Sequence, residues 1–389
     1  MIHQSTLARQ TLSQFWKILG IFAAHVLLIA SGVAVVWHFA AYNGDQAASV
    51  HVLWETSDLK GLFRHLTTWD AAHYLTLSHN GYHSNSPSCA FYPLWPALIN
   101  LSSSFLCVNE TAASLLIANL LSGAAFFFFY EIVRTKLSHT IALRAVLLLA
   151  FFPGSLFLAL PYSESLFLFL ILLFFIGLDR CTFWLCAISS FLLPLCRPVG
   201  IFILATVLYV AFVNTSEKPN DLERWPSLKL LPLFPITGLA IYFAIMFLST
   251  GNALEGFAAQ SAYLADASPR KILDLPGLWT TFTNVQSPFG MENAVFDRVL
   301  FVIFLLSLPL TYRLSREWFW FALPAGVVPA LTNSFISYRR YVVIVFPFFV
   351  VLALLLRRGP TWMFWYFLAI SALLQFVLVC LYSSFNWAG

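Results

Sequence analysis

Charge is what this 389-residue sequence has least of. Only 10% of its residues are Asp, Glu, Lys or Arg, while 60% are hydrophobic and 17% aromatic. A soluble domain carries about 25% charged residues, so a water-solvated surface is excluded, and the mean hydropathy of +0.81 fits a chain surrounded by lipid. Alternating polarity is lacking as well. A transmembrane β-barrel needs segments of about ten residues with a two-residue period, whereas runs such as Leu166–Leu178 are continuously apolar. The expected fold class is therefore an all-α polytopic membrane protein.

Other absences narrow the chemistry. The six cysteines include no C-x-x-C pair. Cys181, Cys186, Cys196 and Cys380 lie in apolar runs, where Cys acts as a small hydrophobe, leaving only Cys89 and Cys107 with access to a partner. A disulfide framework is not expected. No G-x-x-x-x-G-K-[ST], G-x-G-x-x-G or H-E-x-x-H occurs, so there is no motif for a soluble nucleotide or a protease-type zinc. The loop histidines are scattered without a ligand spacing, and neither metal nor cofactor is expected. A net charge of +4 is too small for this length to suggest a nucleic-acid partner. The first apolar segment exceeds a signal-peptide core and no A-x-A-like cleavage pattern follows it, which reads as an uncleaved first span. No internal repeat stands out, so 1–389 reads as one integral membrane domain.

About eleven spans are expected, near 15–41, 111–133, 143–160, 163–178, 181–196, 198–213, 230–249, 296–313, 318–333, 341–356 and 361–383. The stretch Phe91–Val108 decides the topology. It is short, and Pro93, Pro96, Asn100 and Ser102–Ser104 break it, so it is read as interfacial or re-entrant. With that parity 13 of the 21 cations face the cytoplasm and 8 the outside, as the positive-inside rule favours. If Phe91–Val108 crosses, the split inverts. The preferred parity puts a first outer loop with juxtamembrane helices at 42–110 and a second at 250–296.

The most unusual stretch is Trp69–Pro96, where an acid, three histidines, aromatics and three prolines lie between apolar segments. Unpaired polar groups in hydrocarbon cost several kcal/mol each, so this stretch must line a wet surface or cavity. Asp70 is a candidate general base, or equally the cap of a short helix starting at Ala71. His73, one turn on, can reach Asp70 or a phosphate. Phe91–Pro96 is an aromatic return to the membrane, an interface anchor or a floor for a sugar ring. Glu164, within Tyr162–Ser163–Glu164–Ser165, is either a capping carboxylate or a functional acid at membrane depth. Arg197, between apolar segments, needs a partner, and its fork suits a phosphate or Glu164. Arg339 and Arg340 form a second cationic pair, with headgroup snorkelling as the bland alternative.

These motifs resemble a known family. W-D-A-A-H-Y-L, then G-Y and A-F-Y-P-L-W-P, then F-F-P-G-S-L-F-L-A-L-P-Y-S-E-S-L-F, C-R-P-V-G-I and a closing F-N-W are similar, in the same order, to the GPI mannosyltransferase II (PIG-V-like) family of GT-C glycosyltransferases. The resemblance covers the chain from Trp69 onward. It implies a GT-C-like multispan enzyme on the outer or lumenal face. The implied donor is a polyprenyl-phosphate sugar such as dolichyl-phosphate mannose, and the acceptor a lipid-linked or surface glycan. Asp70 matches the loop aspartate expected to deprotonate the acceptor; Tyr162, Ser163 and Glu164 match the second signature, and Arg197 a later arginine. Arg197 with Arg339 or Arg340 is expected to hold the donor phosphate, with His73 beside it. Trp69, Tyr82 and Asp45 are further candidates, Asp45 being the rival acid because it directly follows the first span, where the resemblance to GT-C enzymes implies an essential acid. The rival class, a transporter or flippase, would want mid-membrane charges and an internal repeat. A non-catalytic subunit is the third alternative.

Overall fold

A computed structural model of the chain describes residues 2–44, 61–214, 226–263, 271–272, 274–285, 287–288, 294–332 and 334–388. Asp45 lies outside the described residues. The helices are α1 (Ile2–Phe39), α2 (Leu62–Leu66), α3 (Asp70–Asn80), α4 (Leu94–Leu106), α5 (Glu110–Lys136), α6 (His139–Ala150), α7 (Glu164–Asp179), α8 (Phe183–Cys196) and α9 (Ile203–Leu208). They continue with α10 (Leu233–Thr250), α11 (Glu255–Ala259), α12 (Leu275–Thr283), α13 (Val295–Leu314), α14 (Arg316–Leu331), α15 (Tyr338–Ile344), α16 (Pro347–Arg357) and α17 (Thr361–Ser383). Among the described residues the sole β pairing is an isolated bridge between Ser287 and Ala294. The fold is all-α.

Local chemistry sets several ends. The Asn109 side chain accepts from the Ala112 N–H at 2.8 Å to start α5, and Arg134 and Lys136 close its last turn, where cations complement the helix dipole. Ser138 starts α6 and Ser315 starts α14 by the same capping. Gly81, at φ 73°, ends α3; glycine reaches this left-handed region without the Cβ penalty.

Each of the eleven expected intervals contains helix, but the count of eleven separate crossings is not confirmed. Among the described residues, five helices are long and apolar enough to cross a bilayer alone: Leu12–Phe39, Glu110–Lys136, Leu228–Thr250, Val295–Leu314 and Thr361–Ser383. A sixth is reached if α15 and α16, bent by 85°, count as one span. Proline explains two of the departures. Pro153 stops the 143–160 interval after α6, and Pro347 separates α15 from α16, since proline offers no N–H to the helix ladder. α4, at 13 residues, is about 20 Å long, too short to span.

The break after α6 is the part of the fold that matters most for the site. Residues 151–163 run as a 3₁₀ segment (Pro153–Leu158) and turn inside the bundle, where backbone groups still need partners. Polar side chains from three other helices supply them. His25 Nδ1 and Gln375 Nε2 bond the Ala150 carbonyl at 2.7 and 3.1 Å, and Ser371 donates to the Phe151 carbonyl at 2.8 Å. Ser122 and Asn119 reach the Leu158 and Ala159 carbonyls. This buried polar scaffold delivers Tyr162, Ser163 and Glu164 to the head of α7.

Candidate active site

The backbone approaching Asp70 is pinned by the far end of the chain. Thr68 Oγ1 donates to the Tyr382 carbonyl at 3.0 Å, and the Tyr382 hydroxyl donates to the Leu66 carbonyl at 3.0 Å. His65 Nδ1 meets the Ser383 carbonyl at 2.7 Å. Trp69 stacks on Phe385 at 5.0 Å, packs edge-on against Trp387, and donates Nε1–H to the Asn386 carbonyl. The W-D stretch and the closing F-N-W therefore meet in space. Trp69 itself sits at φ 55°, a conformation that costs a non-glycine residue about 1–3 kcal/mol. Its aromatic and hydrogen-bonded partners hold it there.

α3 starts at Asp70, not Ala71. Trp69 occupies the cap position with no side-chain cap bond, so the capping role expected as an alternative for Asp70 is not the one observed. Its carboxylate goes to Arg340, Oδ2 to Nη1 at 2.5 Å. Arg340 Nε meets Glu164 Oε1 at 2.6 Å, and Arg197 Nη1 meets the same oxygen at 2.9 Å. Glu164 opens α7 but likewise makes no cap. Arg197 Nη1 also donates to Ser163 Oγ at 3.0 Å, and the Tyr74 hydroxyl bonds that oxygen at 2.8 Å. Four charges from four distant segments thus form one neutral array.

The array is graded in exposure. Glu164 is fully buried, Arg197 and Arg340 are nearly so, and the Asp70 side chain is 27% exposed. The Arg340 guanidinium lies over the Phe157 and Tyr162 rings at 4.7 and 4.8 Å; cation–π contact of this kind strengthens when desolvated. The Tyr162 hydroxyl donates to the Thr68 carbonyl, tying the Glu164 turn to the Asp70 turn. Glu164 Oε2 and Arg197 Nε are buried without a hydrogen-bond partner. An unmet acceptor and an unmet donor in one ionic cluster mark a place where a polar ligand or water belongs.

His73 does not join the arginines. Its ring stacks on Phe91 at 4.7 Å, Nδ1 bonds Ser88 Oγ at 2.9 Å, and the Tyr263 hydroxyl lies 3.3 Å from Nε2. Arg339, expected as an alternative phosphate ligand, turns the other way. It is clamped on Asp297, Nη2 to Oδ2 at 2.5 Å and Nε to Oδ1 at 3.1 Å, fully buried. Asp297 accepts from its backbone N–H too, which leaves Arg339 committed. Tyr82 donates to the Phe91 carbonyl at 2.7 Å and braces the turn rather than facing the array. All six cysteines are free. No group of three or more His, Cys, Asp or Glu is placed to hold a metal ion among the described residues.

Sequence reasoning missed three participants. Tyr74 was findable, since it lies at i+4 from Asp70 on one helix. Asp297 sits in an ordinary Asp-Arg pair at the edge of an apolar run and signalled nothing. Tyr263 comes from the second expected outer loop, about 190 residues from its partner His73, a distance no local pattern reveals. Burial, with the Asp70 charge adding to it, pushes the Tyr263 phenol well up, so it stays a neutral hydroxyl.

The model of the mannosyltransferase (PIG-V) family matches residues 24–265. The mouse GPI alpha-1,6-mannosyltransferase 2 is 27% identical over 282 residues, covering 65% of this chain and 57% of its own length. Among solved structures, the oligosaccharyltransferase of Archaeoglobus fulgidus in its apo form aligns with 96% of this chain and 56% of its own, at 14% identity and a TM-score of 0.48. The same enzyme with an inhibitory peptide and a dolichol-phosphate aligns at 15% identity and 0.48, over 97% and 56%. The chain spans a little over half the length of these proteins.

Proposed function

The chain belongs to the mannosyltransferase (PIG-V) family, and on that premise we propose that it is a membrane glycosyltransferase that moves mannose from a polyprenyl-phosphate donor to a lipid-linked or surface glycan. Asp70 is the base. Its carboxylate takes the proton of an acceptor hydroxyl as that oxygen attacks the anomeric carbon. The bond from that carbon to the phosphate oxygen breaks on the opposite side, and its electron pair leaves with the lipid phosphate. Attack opposite the leaving group inverts the centre, so a β-linked donor gives an α-linked product. The linkage in the mouse relative's name, alpha-1,6, suggests a primary 6-hydroxyl as the nucleophile.

Arg340 and Arg197 receive the leaving phosphate. Each guanidinium has N–H groups beyond those spent on Asp70, Glu164 and Ser163, and charge-assisted bonds to phosphate are about twice as strong as neutral ones. Glu164 fixes both guanidinium planes before the donor arrives, so little reorganisation is needed when charge develops. Tyr162 and Ser163 hold that arrangement. On this reading the chemistry runs on side chains without a metal, and transfer survives EDTA. The outer or lumenal face is the side the cation distribution favours.

The observation that supports this reading most directly is Arg340 bridging a partly exposed aspartate and a buried glutamate that also carries Arg197. The test is to incubate purified full-length protein with polyprenyl-phosphate mannose or polyprenyl-phosphate glucose and mannose-terminated lipid acceptors, with and without EDTA. Mannose transfer in both conditions is expected; absence of transfer from either donor would overturn the assignment. For sidedness, a cysteine at the exposed position His79, in an otherwise cysteine-free chain, should label with an impermeant reagent from outside the cell.

A further inference from the structure

Resting on the reading above, we infer that Tyr74 is a positioning residue for the donor phosphate. Acting through Ser163, its hydroxyl sets the plane of the Arg197 guanidinium, so α3 governs the phosphate site as well as carrying the base. Asp70 and Tyr74 stand at i and i+4 on α3, and that spacing puts them on one face. Asp70 goes directly to Arg340. Tyr74 stops one bond short of Arg197. Its hydroxyl meets Ser163 Oγ at 2.8 Å, and the same oxygen accepts from Arg197 Nη1 at 3.0 Å. One turn of helix thus reaches both arginines.

A planar guanidinium held at a single contact still swings about it. Arg197 Nη1 meets two oxygens, Glu164 Oε1 at 2.9 Å and Ser163 Oγ at 3.0 Å. The guanidinium hydrogens lie in its plane, so the two contacts together fix that plane. The Tyr341 ring lies under the group at 5.8 Å. This orientation lasts only while Ser163 Oγ stays in place, and a serine hydroxyl turns easily about its one side-chain bond. Tyr74 stops that turn. Its own ring is buried and packs edge-on against Phe91 at 5.0 Å and Tyr162 at 6.2 Å, so the position of its hydroxyl is set by packing. Both fixed contacts of Arg197 then fall on Nη1, while Nε is buried without a partner and is the edge kept for phosphate. A fork oriented before the donor arrives loses less freedom on binding.

The experiment titrates purified full-length protein with polyprenyl-phosphate mannose and with polyprenyl phosphate lacking the sugar. Tyr74→Phe removes one oxygen and keeps the packed ring. It should weaken binding of both lipids about 3- to 10-fold, the loss of one neutral hydrogen bond, with the KM for octyl α-mannoside as acceptor unchanged. In an Arg197→Ala background the same substitution should change donor affinity less than about 2-fold, because nothing is left for Tyr74 to orient. Equal losses in the two backgrounds would overturn the inference and leave Tyr74 a structural brace, and so would wild-type affinity in Tyr74→Phe. A second readout needs no donor: the rate at which phenylglyoxal modifies Arg197, followed by peptide mass. Modification should be faster in Tyr74→Phe than in wild type, and equal rates would also overturn the inference. If wild type binds neither lipid, the transfer reading fails, and the phenylglyoxal rates still decide whether Tyr74 holds Arg197.

Discussion

Arg339 and Arg340 are neighbours in sequence with opposite fates. Arg339 is sealed: its guanidinium forks onto Asp297, its N–H bonds the same carboxylate, and a further N–H reaches the Ala388 carbonyl. Its carbonyl is pressed against Gly154, where a Cβ would come within 2.7 Å of the oxygen. Arg340 opens onto a shared network in which Asp70 is partly exposed and Glu164 keeps an unmet oxygen. The difference separates two uses of one ion pair. A fully satisfied buried pair fixes α15 against α13 and the 153–158 segment; the unsatisfied array next to it keeps capacity for a ligand. The first holds the second in register.

Three substitutions and a control break that comparison in descending order. Asp70→Asn keeps size and removes the base. Turnover should fall roughly 10²–10⁴-fold with donor affinity little changed, read as initial transfer rates on protein whose thermal melt matches wild type. Normal turnover in this variant with loss in Asp45→Asn would hand the role of base to Asp45. Asp297→Ala attacks the sealed pair and strands a buried guanidinium, which costs about 3–5 kcal/mol of stability. Thermal unfolding in detergent should show it, and replacing both partners together (Asp297→Leu with Arg339→Met) should return most of it. Failure of the double variant to recover would mean the pair does more than fill and fix.

Arg197→Ala should weaken donor binding roughly 10- to 100-fold, the range for bonds to a charged group, and Arg197→Lys should rescue only part, because lysine lacks the fork. Donor titration of the three proteins decides this; equal affinities would remove Arg197 from the phosphate. Smallest of all, Lys136→Ala cuts a pair with Asp179 in which both side chains are about one-third exposed. Its effect should stay below about 1 kcal/mol, a surface control for the two buried clusters.

Much of the site was legible in residues that lipid makes costly. A polar run at Trp69–Pro96, an acid at Glu164 and a cation at Arg197 stand out because charge is rare in an apolar chain, and a charge there needs a partner. A phosphate or Glu164 was the expected partner of Arg197, and the structure supplies Glu164. The choice between Arg339 and Arg340 was not legible, because both carry the same side chain on the same flanks. The count of eleven spans is not confirmed for a related reason. Hydropathy registers apolar residues whether they continue a helix or line a break, so 143–160 looked like one crossing when Pro153 ends it.

By itself the sequence determined the all-α membrane class, the family and the identity of most charged groups in the array, since each is a consequence of composition or of short local motifs. Tertiary structure alone decided which arginine enters the site, that the closing F-N-W clamps Trp69, and that Tyr263 meets His73. Those contacts join residues 176 to 317 positions apart. Their geometry is set by helix packing and by the need to satisfy every buried backbone group, which no local window of the chain contains.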